Sequence, residues 1–424
     1  MKLAVFTSKY PARVSTFFER DMAALQAAGV EIDVFCLYPL DEALWKYSLQ
    51  LNGEPAVQRA RVHHLGVQDA LAGAIPVIAK QPWRIFKDTI RILLSALRYG
   101  PMAFAKTAYA LPKAWAWAGR HMDQYDHVLG YWGNYTATAA YAFHRLQSKT
   151  VPFSMWLHAG TDLYRQPVFM KQKMLYSDNI VTCCEFNFEY IRRHFPSVSQ
   201  QISPRVHVCH HGLDLSEFPF QPEGRPANTV IAVGRLAAHK GFDYLLRAAC
   251  ALRQRGVDLV VELVGDGAEQ PALEALAKEL GIADRVNFRG WLPFPEARKA
   301  MAQATLLVHP SDGLGDGLPN VIREAMALGT PVVASRVAGI PDALEKGCGV
   351  LVPPKDPDAL ADGIETLLRS PDTRRKIAER ARARVEERYD LWKNGSWLAG
   401  LFKASRRRAN ESPAAAAVLA PEKI

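Results

Sequence analysis

The stretch Asp316-Gly317-Leu318-Pro319-Asn320-Val321-Ile322-Arg323-Glu324-Ala325-Met326-Ala327-Leu328-Gly329-Thr330-Pro331-Val332-Val333-Ala334-Ser335 reads as a loop, a helix and a strand with almost no slack between them. Pro319 suits a first helical position, where its missing N–H costs nothing. Gly329 ends the helix, and a buried strand begins at once. The loop therefore brings free backbone N–H groups and a positive helix end to the space above Gly317 and Leu318, a place for phosphate or another anion. Glu324, a turn or more inside, does not suit that anion and is read as an acceptor for hydroxyls. An anion with hydroxyls beside it describes a sugar nucleotide. Asp316 taken alone reads as an acidic residue favouring its own helix dipole; the block as a whole does not reduce to that.

Outward from this block, strand-like runs at 230–233, 259–264, 286–288, 306–309, 331–334 and 349–352 alternate with amphipathic helical patterns. Gly256, Gly281 and Gly329 each follow such a helix and precede a strand. That alternation predicts a parallel, doubly wound sheet. The first half repeats it less regularly, with strands at 3–6, 30–37, 127–130, 152–158 and 179–183 and a small-residue helix around 135–143. Thr16 and Glu19 have capping-box spacing, which predicts a helix start at Thr16. Pro219, Pro222, Gly224 and Pro226 interrupt all periodicity and suggest a hinge at 218–228. The expected domains are 1–218 and 226–388, with a last helix at 389–403 and a disordered basic and alanine-rich tail at 404–424.

A chain of 424 residues suits two domains of about 200 residues each. Its 49% hydrophobic and 22% charged composition is that of a globular protein. The net charge of +9 admits nucleic acid, an anionic bilayer or a polyanionic substrate as partner, but no nucleic-acid module is found. The six cysteines show no metal or redox spacing. With no leader at the start, they are expected to be reduced thiols of a cytoplasmic protein, peripheral at most on the membrane.

The 316–335 block resembles the donor motif of retaining glycosyltransferases of family 4, including bacterial exopolysaccharide and colanic-acid-type members. There two glutamates separated by seven residues hold a nucleotide-sugar donor; here the first position is Asp316. The resemblance implies the GT-B architecture, two Rossmann-like domains facing a central cleft, with the last helix returning to the first domain. It implies that the first carboxylate faces the transferred sugar and that Glu324 bonds the ribose. Gly317, Leu318 and Val321 belong to the same donor motif. Gly234-Arg235-(four residues)-Lys240-Gly241 resembles the family element whose two cations clamp the donor diphosphate. A leaving diphosphate needs its growing charge neutralised. No Asp-x-Asp flanked as a metal site appears, which favours the cationic route without metal. Gly265 lies in a turn that either borders the nucleotide or is simply tight. Arg289 lies in a segment resembling the one that reads the base through its backbone.

His158 and Asp162 resemble the family's His-x-x-x-Asp region, where the histidine approaches the reacting sugar. Thr16 caps its helix, bonds a phosphate, or does both. His210-His211 suggests metal only superficially, because neighbours in a strand point to opposite faces, and the pair is read as structural. Catalysis is therefore assigned to His158, Asp316, Arg235 and Lys240 through positioning and charge stabilisation, with no metal and no cofactor. The implied route is front-side attack, the leaving phosphate oxygen deprotonating the acceptor.

Residues 75–122 carry eight Lys or Arg and one acid, Asp88, interleaved with aromatics such as Trp83, Phe86, Trp115 and Trp117. That pattern suits a helix on an anionic leaflet, or else a core face with solvated cations opposite. The expected activity is hexose transfer from a UDP-sugar, ahead of a GDP-sugar, to a glycan or polyprenyl-linked acceptor in surface polysaccharide assembly. The alternatives are a nucleotide-sugar 2-epimerase of the same architecture, or a catalytically silent sugar-nucleotide or membrane-binding protein.

Overall fold

Thirteen short strands, the central ones mostly buried apolar runs and five of them buried throughout, form two all-parallel sheets among the residues described. The computed structural model describes residues 1–11, 16–46, 55–226 and 228–411. It divides into two compact units, Met1–Gly212 with the chain from Leu391 onward, and Leu213–Asp390. The division falls at 212 and 213, not in the expected hinge at 218–228. That proline-rich segment is fixed within its own unit, where Arg225 donates to the carbonyls of Met301, Ala304 and Leu328 at 2.9–3.2 Å.

The first unit orders its strands β3-β2-β1-β4-β5-β6-β7. They are β1 (Lys2–Thr7), β2 (Glu31–Cys36), β3 (Val62–His63), β4 (His127–Gly130), β5 (Phe153–Leu157), β6 (Asn179–Thr182) and β7 (Val206–Val208). Its helices include α1 (Thr16–Ala27), α2 (Val67–Lys80), α3 (Pro82–Leu97), α4 (Pro101–Arg120), α5 (Tyr135–His144) and α6 (Met170–Tyr176). The short β3 and β7 at the sheet edges have no counterpart in the sequence reading. Helix α1 begins at Thr16, but Glu19 does not close a capping box. Its Oε2 accepts from Tyr10 Oη at 3.0 Å and Ala56 N at 2.9 Å, and Oε1 has no partner among the described residues.

The second unit orders its strands β10-β9-β8-β11-β12-β13. They are β8 (Thr229–Val233), β9 (Val260–Val264), β10 (Val286–Gly290), β11 (Leu306–His309), β12 (Val332–Ser335) and β13 (Val350–Val352). The helix of the 316–335 block, α7, is Asn320–Leu328, and Gly329 closes it in the left-handed conformation at φ 77°. Pro319 is its cap residue, one place earlier than expected. The final helix, α8 (Leu391–Glu411), groups with the first unit and lies against α1, with Gly395 close-packed on Ala24. It runs past 403 into the segment expected to be disordered tail; residues 412–424 lie outside the described residues.

Candidate functional site

In an open parallel sheet the ligand crevice lies beyond the strand ends, where the strand order reverses. In the second unit that point falls between β8 and β11, so the loops that follow them meet there. They are fastened to each other: Asp312 N and Ser311 Oγ both donate to the His239 carbonyl, at 3.1 and 3.0 Å. Gly241 holds the closest approach. It sits at φ 65°, and a Cβ there would lie 2.1 Å from the Pro310 carbonyl oxygen. Gly265, at φ 138°, is pressed on the neighbouring strand end, with a Cβ position 1.9 Å from the Gly234 oxygen. The backbone of this corner is thus built without room for side chains at either glycine.

Two cations stand on it. Lys240 lays its stem over Gly234, its Cε and Cδ at 3.7 and 3.9 Å from where that residue's Cβ would be. Arg235 is exposed, and its side chain makes no hydrogen bond or ion pair among the described residues. Across the loop junction, α7 begins after Pro319, a cap residue that makes no side-chain hydrogen bond to the first turn. Gly317 precedes it at φ 59°, its carbonyl accepting from Gly339 N at 2.9 Å. Leu318 is buried, Val321 half-buried, and Glu324 buried at 4% exposure. Arg323 points elsewhere, over the Tyr389 ring at 5.5 Å. The Asp316 backbone closes a short turn, Leu314–Asp316, but its side chain lies outside the described residues. Arg289 is committed to Glu262 on the adjacent strand at 2.8 Å, while Gly290 takes the Gly265 N–H at 2.8 Å. An anion in this corner would meet an uncommitted guanidinium and an uncapped helix end.

The first unit holds a second constellation. His158 follows β5, and Asp162 ties its loop to the one after β4. The Asp162 carboxylate accepts from His158 N, Ala159 N and Gly133 N at 2.9–3.1 Å, and its Oδ2 is 3.8 Å from His158 Nδ1. Lys173 on α6 holds the other side of that loop, donating to Gly133 O at 2.6 Å and Asn134 O at 3.1 Å. Burial pulls the Lys173 ammonium down to about 7, against the attraction of Asp162. The His158 ring is boxed by Trp132 at 4.3 Å and Tyr131 at 4.8 Å. Both its nitrogens are buried without a hydrogen-bond partner among the described residues. Such an orphaned polar group in a folded chain asks for a ligand or water.

Sequence reading missed what supports this ring. His211, taken there as structural, stacks on His158 at 4.8 Å and 12°. Its Nδ1 bonds Asp21 Oδ2 at 2.6 Å, and Tyr131 Oη donates to the same oxygen at 2.5 Å. His210 turns the other way, to the Cys183 carbonyl at 2.8 Å. Only the buried aspartate at position 21 of an otherwise amphipathic helix hinted at this in the sequence. Thr16 is the first residue of α1 and half-buried; residues 12–15 of its loop lie outside the described residues. Among the described residues, no cluster of three or more His, Cys, Asp or Glu could hold a metal ion.

Residues 227–370 match the family described as "Glycosyl transferases group 1". The second unit carries a group 1 glycosyltransferase domain. The chain is 36% identical over 175 residues to alpha-D-kanosaminyltransferase of Streptomyces kanamyceticus, covering 41% of this chain and 45% of that one. It is 31% identical over 246 residues to a GDP-mannose-dependent alpha-(1-6)-phosphatidylinositol monomannoside mannosyltransferase of Mycolicibacterium smegmatis, covering 54% and 63%. Each match thus spans only part of the curated relative, about half in the first case. In fold, 95% of the chain superposes on 99% of Anabaena HepE in complex with UDP, with a TM-score of 0.65 at 19% identity. The group 1 domain and this GT-B neighbour agree with the two parallel Rossmann-like sheets.

Proposed function

We propose that the protein transfers a hexose from a nucleotide-diphosphate sugar, with retention and without metal, to a glycan or polyprenyl-linked acceptor of surface polysaccharide assembly. The observation that carries this reading is Arg235, exposed and unpaired among the described residues, at the strand end where β8 and β11 part. A guanidinium left uncommitted at a ligand crevice suits a diphosphate. Lys240 and the uncapped start of α7 add charge of the same sign for the departing group. Glu324, buried one turn inside, is assigned to the ribose hydroxyls, and Asp316 to the transferred sugar. In front-side attack the leaving phosphate oxygen takes the acceptor proton, so the protein supplies position and charge and needs no separate base. His158 is assigned to a sugar hydroxyl, its unpaired ring nitrogens being the support for that role. The names of relatives that use GDP-mannose and a phosphatidylinositol glycan, and of a UDP-bound neighbour, agree with a nucleotide donor and leave the base open between the two; the uridine donor is the one put forward here.

The test is turnover of a panel of UDP- and GDP-sugars by the purified chain in EDTA, with a polyprenyl-diphosphate glycan as acceptor. One donor should be consumed with retention, and Arg235→Ala should abolish it. Turnover that EDTA stops would overturn the metal-free mechanism, and no turnover of any donor would overturn the activity.

A further inference from the structure

Helix α3 has two apolar faces where a surface helix needs one. Ile85, Ile92 and Ala96 are buried against the core of the first unit. At about 100° per residue, Trp83, Phe86, Ile90, Leu94 and Leu97 fall on a stripe about 140° away. They are exposed by 81, 58, 42, 57 and 53%. Neighbouring α2 adds Leu71, Ile75 and Ile78, at 52, 66 and 36%. Single exposed apolar residues need no explanation, but a continuous second stripe on adjacent helices does.

The flank of that stripe is cationic. Arg84, Lys87, Arg91 and Arg98 lie along one edge of it and are exposed, and Lys80 ends α2. The acid of α3, Asp88, is turned inward and paired with Arg145 Nε at 3.2 Å; Asp69 lies in the first turn of α2. A groove of about 510 Å³, lined by Ile78, Pro82, Trp83, Phe86 and Trp115 among others and almost wholly apolar, opens beside the stripe. No described helix is long and apolar enough to cross a membrane.

We propose that the α2–α3 face docks on an anionic bilayer surface, Trp83 and Phe86 entering the headgroup boundary while Arg84, Lys87 and Arg91 meet lipid phosphates. An apolar stripe with cations along one edge, and the acid of the same helix turned inward, matches an anionic leaflet. The surface is narrower than the 75–122 stretch whose sequence pattern suggested a leaflet. In α4, Trp117 is 1% exposed and Lys113 is 1% exposed, its Nζ bonding the Leu37 carbonyl and, at 2.7 Å, Tyr109 Oη. That helix is core, and the two helices before it are the surface. The inference does not depend on the proposed activity.

The experiment is flotation of the full chain with phosphatidylcholine vesicles, with and without phosphatidylglycerol. Binding should require phosphatidylglycerol and weaken as salt is raised. Trp83→Ser with Phe86→Ser should weaken it at least tenfold. Lys87→Glu with Arg91→Glu should weaken it further, on the order of fivefold for each cation removed. All four positions are exposed, so thermal melting should be unchanged, and the charge pair keeps the test open if the serine pair fails to fold. No flotation, equal binding to both vesicle types, or binding unaffected by either pair would overturn the proposal. So would self-association in sedimentation that the serine pair abolishes, since the stripe would then belong to a second copy of the chain.

Discussion

Gly241→Ala perturbs the junction of the β8 and β11 loops directly. The new Cβ would stand 2.1 Å from the Pro310 carbonyl oxygen, 0.9 Å inside the 3.0 Å that real Cβ atoms essentially never breach. The atom it meets is backbone, so no rotamer change relieves it. Two terms add. An L-residue at φ 65° costs about 1–2 kcal/mol. Moving the β8 and β11 loops apart by about an ångström loosens the two hydrogen bonds to His239 O, at about 0.5–1.5 kcal/mol each. The sum is about 2–5 kcal/mol. Gly256→Ala is the matched control, at φ 77° in the same unit with nothing within 4 Å of its Cβ position, and it should show the first term alone. Thermal unfolding and calorimetric titration of UDP would be run on both variants. Gly241→Ala should melt lower than Gly256→Ala and bind UDP at least tenfold more weakly, while Gly256→Ala binds as the parent does. If the two variants match in melting and in affinity, the two loops are not the joint that shapes this corner.

Other consequences follow from single contacts. Asp21→Asn removes the charge that holds His211 and Tyr131; turnover should fall roughly tenfold with donor affinity unchanged, and an equal loss in both would place Asp21 outside the His158 support. Glu324→Ala should erase discrimination between UDP and its deoxyribose analogues, which the parent should show at about 1–3 kcal/mol if Glu324 accepts from the ribose; retained discrimination would move the ribose elsewhere. His127 is wholly buried and its imidazole is pushed down to about 3 by desolvation, from an ordinary 6.5. The unfolded chain therefore takes its proton first, and stability should fall as pH drops from 6.5 towards 4.5, with His127 alone contributing about 1.4 kcal/mol per pH unit once below 6. In melts across the range, His127→Phe should take about 1.4 kcal/mol per pH unit off the slope and leave the like contribution of His144, also buried and pushed down to about 4; an unchanged slope would assign it to other groups.

How legible the molecule was depends on the element. The second unit reads almost directly because Gly256, Gly281 and Gly329 stop each helix and the next strand is a compact apolar run; β11 falls at 306–309 as expected. The edge strands β3 and β7 were invisible, since two or three residues of partly exposed backbone carry no period. The Thr16–Glu19 spacing misled because Tyr10 and Ala56, distant in sequence, captured the carboxylate. Apolar periodicity in 75–122 could not say which of two stripes faces the core, and only burial separates the exposed Trp83 from the core Trp117. The Arg235–Lys240 corner was readable from spacing and glycine. The support of His158 was not, because Asp21 and His211 stand far apart in the chain and meet only in the fold.

The most direct test of the central claim is the affinity of UDP against UMP for the chain and for Arg235→Ala. If the guanidinium at the end of β8 receives the diphosphate, the parent should favour UDP by about 1.5–3 kcal/mol and the variant should lose most of that preference with UMP binding unchanged. A variant that keeps the full preference, or loses UDP and UMP alike, would contradict the account.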